Sequence, residues 1–426
     1  MRNAFHHRGR GDHRVSASKQ ARSFAITGHM ANFHQPALAA ISFLLASLFI
    51  FSAECKAQDN PILKIDDDIT RFAYSAGGRI AYATRHVFSV KKIDLQRDDI
   101  WIYEPDGKKH RILDGQKFVR GKEPFSYTVH SIRWSPDGAK LAIELSTSEM
   151  INERGQTSEG VSTLLLDDSG REITIAAKDS LIPGASDCSW MADGTTVVCL
   201  FEAQPLTKPP ASQQRQEQQP KLDPTFILAR VTLMSGPETS IFAGRKYRAF
   251  AWNTARGDGV GIELVGNPAI EPASPAGPIK LVAIDPARAT SRDLGILEGY
   301  AGGLSVSPSG KKAAYWIDNG QLEVRDVEAP GRAARLVVPL GTLAWSGDEN
   351  RVMVKRGTEA RTGGLVWFNV PLLANAAVGA APRSEEVPPQ SVLHDLGFRL
   401  FDISPNGKSV AVVEPGRHNL LVYPIS

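Results

Sequence analysis

The chain has 426 residues, 42% of them hydrophobic, which is enough to bury a large core, and one repeat array can fill that length without a second domain. Its 49 Lys and Arg against 46 Asp and Glu give a formal charge of +3, but the first 57 residues hold 7 of the basic and 2 of the acidic side chains. The remainder has 42 basic against 44 acidic residues, about −2, so nucleic-acid binding loses its compositional support.

Residues 1–35 are polar and rich in Arg and His, and 36–53 (PALAAISFLLASLFIFSA) form an uncharged apolar run ending in small residues, the pattern of an export signal. Met30 is a rival start to Met1, although it leaves no Lys or Arg ahead of the apolar run. Cys55 and Ala57 are small residues at the two positions a signal peptidase reads, which makes Gln58 the first mature residue. Lipid attachment at Cys55 and an uncleaved anchor are the alternatives; the first is weakened by Glu54, and the second rests on a run near the length of a membrane span. All three place residues 58–426 in the periplasm or outside the cell, as one domain after a leader over 1–57, with the membrane reached only through that leader.

From there one pattern recurs seven times: an aromatic or β-branched residue, a turn rich in Pro, Asp, Asn and Gly, then an apolar run. RWSPDGAKLAIE from Arg133, SWMADGTTVVCL from Ser189, SVSPSGKKAAYW from Ser305, AWSGDENRVMVK from Ala344 and DISPNGKSVAVV from Asp402 are the clear copies. AYSAGGRIAYAT from Ala73 is a residue short in the turn, and AWNTARGDGVGIEL from Ala251 has extra residues there. The anchors Tyr74, Trp134, Trp190, Trp252, Val306, Trp345 and Ile403 are spaced by 60, 56, 62, 54, 39 and 58 residues, near the period of a propeller blade with loops.

Pro presets φ and Gly supplies the left-handed residue, so each turn joins two strands tightly. The second arms (LAIE, VVCL, AAYW) read as apolar on both faces, which fits a blade packed between two others. A second strand pair follows each hairpin, for example DIWIYEPDGKKHRIL from Asp99 and STLLLDDSGREITI from Ser162, giving four-stranded blades that start near residues 71, 131, 187, 249, 303, 342 and 400. The last blade lacks an outer strand, and ILKI at 62–65 is the candidate to fill it. The expected fold is an all-β, seven-bladed propeller, with six or eight blades as alternatives. Cys188 and Cys199 lie on the two arms of one hairpin; a two-residue Asp193-Gly194 loop sets them opposite each other, and a type I turn with a Gly bulge sets them on opposite faces, so a disulfide and two buried thiols both stay open.

The WSPDG-type repeats with their DIWIY-like following strands resemble the WD40-like (PD40) propeller repeats of the TolB family and of the propellers in prolyl-oligopeptidase-type peptidases, over nearly all of 62–426. The chain departs from both: no α/β domain precedes the first repeat, and no G-x-S-x-G nucleophile elbow or room for a hydrolase domain accompanies the last. The resemblance implies a fold and leaves the function open.

The long segments, at 85–97, 114–131, 146–161, 202–224, 265–278 and 381–399, fall on the propeller face opposite the tight turns, where binding is commonly grafted; neutral loop drift is the alternative. Within them, 205–224 is a low-complexity flap and 265–278 a stiff Pro-rich loop. Arg133, Lys246 and Arg248 are candidate binding residues at the channel mouth, suited to an anionic group, against ordinary polar contacts between blades; His130 and His394 are candidates on the decorated face, where Asp66, Asp67 and Asp68 also enter and a metal set across blades stands against solvated loop charges. With no metal-ligand spacing, no phosphate loop and no catalytic motif, neither a metal nor a cofactor is expected. The reading is a monomeric, non-catalytic scaffold for an envelope protein or extracellular polymer; a channel hydrolase or lyase, or an accessory to a separate peptidase, are its rivals.

Overall fold

A computed structural model of the chain describes residues 61–90, 93–120, 125–150, 157–176, 179–202, 226–242, 245–253, 256–265, 278–317, 320–337, 341–355, 365–370, 386–387, 400–414 and 416–425. The leader, the 205–224 insertion, nearly all of 265–278 and His394 lie outside them.

The protein is a β-propeller. Among the described residues, five antiparallel four-stranded sheets accompany an eight-stranded one, which narrows to a single residue pair, Phe226 with Tyr247, and so divides into two groups of four. Inner strands run over Ile69–Tyr74, Phe125–Trp134, Ala185–Trp190, Tyr247–Asn253, Tyr300–Val306, Leu343–Trp345 and Phe401–Ile403. The group that begins with Phe401–Ile403 takes its fourth strand from Leu63–Ile65, which pairs antiparallel with Leu420–Pro424 (Leu63 opposite Val422, Ile65 opposite Leu420).

The apolar second arms explain how the sheets stack. Along each, alternate residues enter two different clusters. Ala142 packs toward Trp190 and Val197, whereas Leu141 and Ile143 pack toward Ala81 and Ile100. Val198 and Leu200 meet Tyr247 and Trp252; Val260 and Ile262 meet Ala313 and Tyr315. Ala314 and Trp316 meet Val352 and Val354, and Met353 meets Val410 and Val412. Ala411 and Val413 then meet Ile80 and Tyr82 of the first sheet. The order of packing closes on itself, so each described group has a neighbour on both faces. Two anchor tryptophans stitch these interfaces: Trp134 Nε1 donates to Ala73 O at 3.2 Å and Trp252 Nε1 to Asp187 O at 2.7 Å.

The tight turns depart from the expected chemistry in one respect. Their serine, not only Pro and Gly, organises them. Ser135 Oγ donates to Asp137 at 2.5 Å and accepts Lys140 N–H at 2.8 Å; Ser346 with Asp348 and Ser404 with Asn406 repeat the arrangement. These hydrogen bonds draw the Asp137 and Asp348 carboxyls below the usual range.

In the hairpin that carries the cysteines the loop has four residues, closed by Met191 N–H to Thr196 O at 2.9 Å. The two-residue loop does not form: Gly194 N–H reaches Met191 O at 3.0 Å in a turn with Gly194 left-handed (φ 61°), and Asp193, accepting Thr195 N–H and Thr196 N–H at 2.8 and 2.9 Å, holds the loop at four residues. Four residues preserve the register that two would give. Ser189 opposes Val198, Asp187 becomes the extra residue of a bulge at φ 46°, and the buried Cys188 and Cys199 are joined by a disulfide.

Three segments expected as loops are partly strand. Residues 85–97 contain a separate hairpin, Val87–Val90 with Ile93–Gln96. The 146–161 segment continues the pairing of Lys140–Met150 with Thr157–Asp167 as far as Met150 opposite Thr157, and the end of 114–131 belongs to Phe125–Trp134. Their polar, alternating residues lack the apolar run that marks a blade strand.

Candidate binding site in the central channel

The residue before each anchor is Ala73, Arg133, Ser189, Ala251, Ser305, Ala344 or Asp402 in successive blades. The anchor packs between blades, and in a strand its predecessor points to the opposite face of the sheet. Five of these residues, Ala73, Arg133, Ser305, Ala344 and Asp402, line one cavity of about 650 Å³. Six of the seven inner strands reach it, and it opens where the Ser-Pro turns begin, at Ser135, Ser307 and Ser404. The room exists because three of the five side chains are Ala or Ser. The cavity thus lies at the tight-turn end, whereas the sequence directs attention to the opposite face.

Among the described residues, Arg133 and Asp402 are the only charged ones that line it. Arg133 is ion-paired with Asp187 from the next blade. Burial pushes the Asp187 carboxyl up, against the pull of Arg133. Glu144, itself only 9% exposed, accepts Asp187 N–H and Ser131 Oγ–H, both at 3.0 Å. Apolar as the second arm LAIE reads, its glutamate is therefore a buried acceptor between blades two and three. Asp402 differs: burial raises its carboxyl to about 6, opposed only by the Ile403 N–H at 2.8 Å.

A second cavity of about 430 Å³ shares Tyr74, Ala76, Ser404 and Pro405 with the first and leads outward between the first and last blades to Tyr103 and Leu63. Here the first turn is the short one, Ala76-Gly77-Gly78, and at Gly78 (φ 82°) a Cβ would meet no atom within 4 Å.

Of the other described candidates, His130, Lys246 and Arg248 do not line this cavity. His130 is exposed, and its carbonyl accepts Arg71 Nε–H at 2.8 Å. The Lys246 carbonyl accepts Leu264 N–H at 2.9 Å, and Arg248 lies close enough to Tyr300 to act on its hydroxyl. Asp66 pairs with Lys64 at 2.7 Å, Asp67 accepts from Tyr82 and Lys109 at 3.0 and 2.9 Å, and Asp68 pairs with His418.

Sequence reasoning missed the polar run Gln96-Arg97-Asp98-Asp99, of which Arg97, Asp98 and Asp99 are buried. Arg97 is 1% exposed, donates to Phe125 O at 2.8 Å and lies 4.9 Å from the Phe88 ring. Asp98 accepts Val129 N–H at 2.9 Å, and Asp99 accepts Gly115 N–H at 2.7 Å, at a glycine where a Cβ would stand 2.4 Å from Arg97 O. Four adjacent polar residues read as a solvated loop; the available signal was their place directly before the blade strand DIWIY.

No protein-family model matches the chain, and no curated protein matches it in sequence. Solved structures do. The chain is similar to one in a crystal structure of the mitotic checkpoint complex, at 11% identity and TM-score 0.53, covering 87% of this chain and 97% of that one. It is also similar to a prolyl endopeptidase at 12% identity and TM-score 0.50, covering 92% of this chain and 56% of the enzyme. A third match, at TM-score 0.46 and 11% identity, is the β-propeller domain of Myceliophteria thermophila Cps50 (Swd1), covering 86% of this chain and all of that domain. At these identities the likeness concerns the fold alone.

Proposed function

We propose that the chain is an exported, seven-bladed propeller of the WD40-like type carried by TolB-family proteins, and that it works as a non-catalytic binding scaffold in the cell envelope. The observation that carries this reading is the central cavity of about 650 Å³, framed by six inner strands of a closed stack. A cavity held by strands that are themselves locked between neighbours is preorganised, and preorganisation lowers the ordering cost of binding. The apolar run at 36–53, with small residues before Gln58, supports export to the periplasm or the outside. The partner is an envelope protein or an extracellular polymer, met by a monomer.

The test is a capture experiment from envelope extracts with residues 58–426 as bait. Beside it runs a bait whose channel is narrowed by Ala344→Leu, and a third in which 205–224 is replaced by a Gly/Ser linker. A partner retained by the parent and lost with Ala344→Leu is the expected result. Loss only with the linker variant moves the surface to the long-segment face; no partner with any bait, together with turnover of a substrate by the purified protein, overturns the scaffold reading.

A further inference from the structure

The central cavity has an unbalanced charge. Its two charged lining residues are Arg133 and Asp402, and Arg133 is already paired with Asp187. That leaves the Asp402 carboxylate facing the cavity with one backbone N–H and, among the described residues, no Lys, Arg or His within ion-pair distance. The groups packed around it do not alter the balance. Tyr74 faces it from the first blade, and Leu343, Ala344 and Trp345 of the sixth blade carry no charge. Trp134, Trp252 and Trp345 also contribute to the wall. A carboxylate without a cationic partner, in a space sized for a small organic molecule and otherwise walled largely by apolar residues such as Ile132, Val306, Leu343 and Ile403, is the combination that takes a cation on an apolar stem: the carboxylate supplies the counter-charge and the wall supplies apolar contact.

We propose that the channel of this protein binds an organic cation, a primary ammonium or guanidinium carried on an apolar stem, with its charged end on Asp402 and its stem against the apolar wall that includes Ile132, Val306, Leu343 and Ile403. The inference rests on the reading of the cavity as the binding site and names its ligand class. The elevated Asp402 carboxyl adds a pH signature: above about 6 the site is an anion, and below it the site becomes neutral.

Titration calorimetry on the full chain tests this with 2-phenylethylammonium, with Nα-acetyl-lysine methylamide as the peptide-borne form of the same charge, and with neutral 2-phenylethanol. At pH 7.5 at least one cation is expected to bind ten or more times tighter than the alcohol. Between pH 7.5 and pH 5 its affinity falls roughly tenfold, the loss expected when a carboxyl of pKa about 6 is protonated. Asp402→Asn, checked for folding by circular dichroism, abolishes the preference for the cation. Ser305→Leu, which keeps the carboxylate but fills the cavity, weakens every probe. The proposal is overturned if no probe binds, if the alcohol binds as well as the cations, or if folded Asp402→Asn keeps the preference. A partner captured from envelope extracts without any cation binding would remove this inference and leave the scaffold reading intact.

Discussion

At the residue scale, two buried carboxylates do opposite things to stability. Asp402 is lifted from an ordinary 3.8 to about 6 by burial, so the folded state holds its proton where the unfolded chain has released it. Its contribution is fully present below pH 3.8 and is lost as pH rises through about 6, the loss amounting to about 3 kcal/mol at pH 7 from 1.36 kcal/mol per pKa unit. Asp402→Asn is therefore expected to stabilise the protein at pH 7 by up to that amount and to change little at pH 4, read from urea midpoints at the two values. Glu323, 3% exposed, is the reverse case. Burial would raise its carboxyl, but Tyr315, Arg325 at 2.6 Å and Arg335 at 3.1 Å donate to it and hold it below the usual range. Its stabilisation is present above the ordinary value of 4.5 and fades as pH falls. Glu323→Ala strands the half-buried Arg325 and is expected to cost about 3 to 5 kcal/mol in the same measurement. Neither role was legible in the sequence. Asp402 stands before an anchor as Ala73 and Ala344 do, and Glu323 sits in QLEVRD like any exposed glutamate. The surroundings of Asp402 are set by other blades, and Glu323 is enclosed by Tyr315, Arg325 and Arg335 only once its own sheet is paired.

At the element scale the sequence carried more. The anchors, turns and apolar arms are local signals, and each hairpin they mark is present among the described residues. The strand borrowed from 62–65 followed from counting strands in the last repeat. What escaped was pairing without an apolar run, as in Val87–Val90 with Ile93–Gln96, and turn chemistry carried by side chains. The hairpin from Ala185 to Glu202 shows why that chemistry matters. Whether Cys188 meets Cys199 turns on loop parity, and Asp193 decides the loop by capping Thr195 and Thr196. Joining residues 11 apart removes about 3 kcal/mol of unfolded-state entropy in the chain model. The double variant Cys188→Ala, Cys199→Ala is expected to unfold at lower urea by about that much and to be insensitive to dithiothreitol, whereas the parent's midpoint should drop once reductant is present. A parent midpoint indifferent to reductant would mean that the thiols are free.

At the scale of the whole molecule, stability depends on closure. Each four-stranded group is apolar on both faces, so a ring with one open interface exposes two such faces at once, and the strand at Leu63–Ile65 is what seals the last blade. Ile65, 4% exposed, packs with Ala411, Val413 and Leu420, and through them the seventh group meets Ile80 and Tyr82 of the first. Ile65→Ala is expected to cost about 2 to 5 kcal/mol, whereas Lys64→Ala, on the same strand but at the solvent, stays within about 0.5 kcal/mol. The size of the loss is not the most informative part. If closure is cooperative, the parent unfolds in one calorimetric transition whose van't Hoff enthalpy equals the measured one, because no blade can leave without uncovering its neighbours. A chain that begins at residue 66 lacks the strand, leaves Leu420–Pro424 with an unpaired edge, and is expected to show a van't Hoff enthalpy well below the measured one and to associate through that edge. Equal enthalpies in the shortened chain would mean that the interface between the first and seventh groups holds without its clasp, and that packing between Tyr82 and Ala411 alone keeps the ring shut.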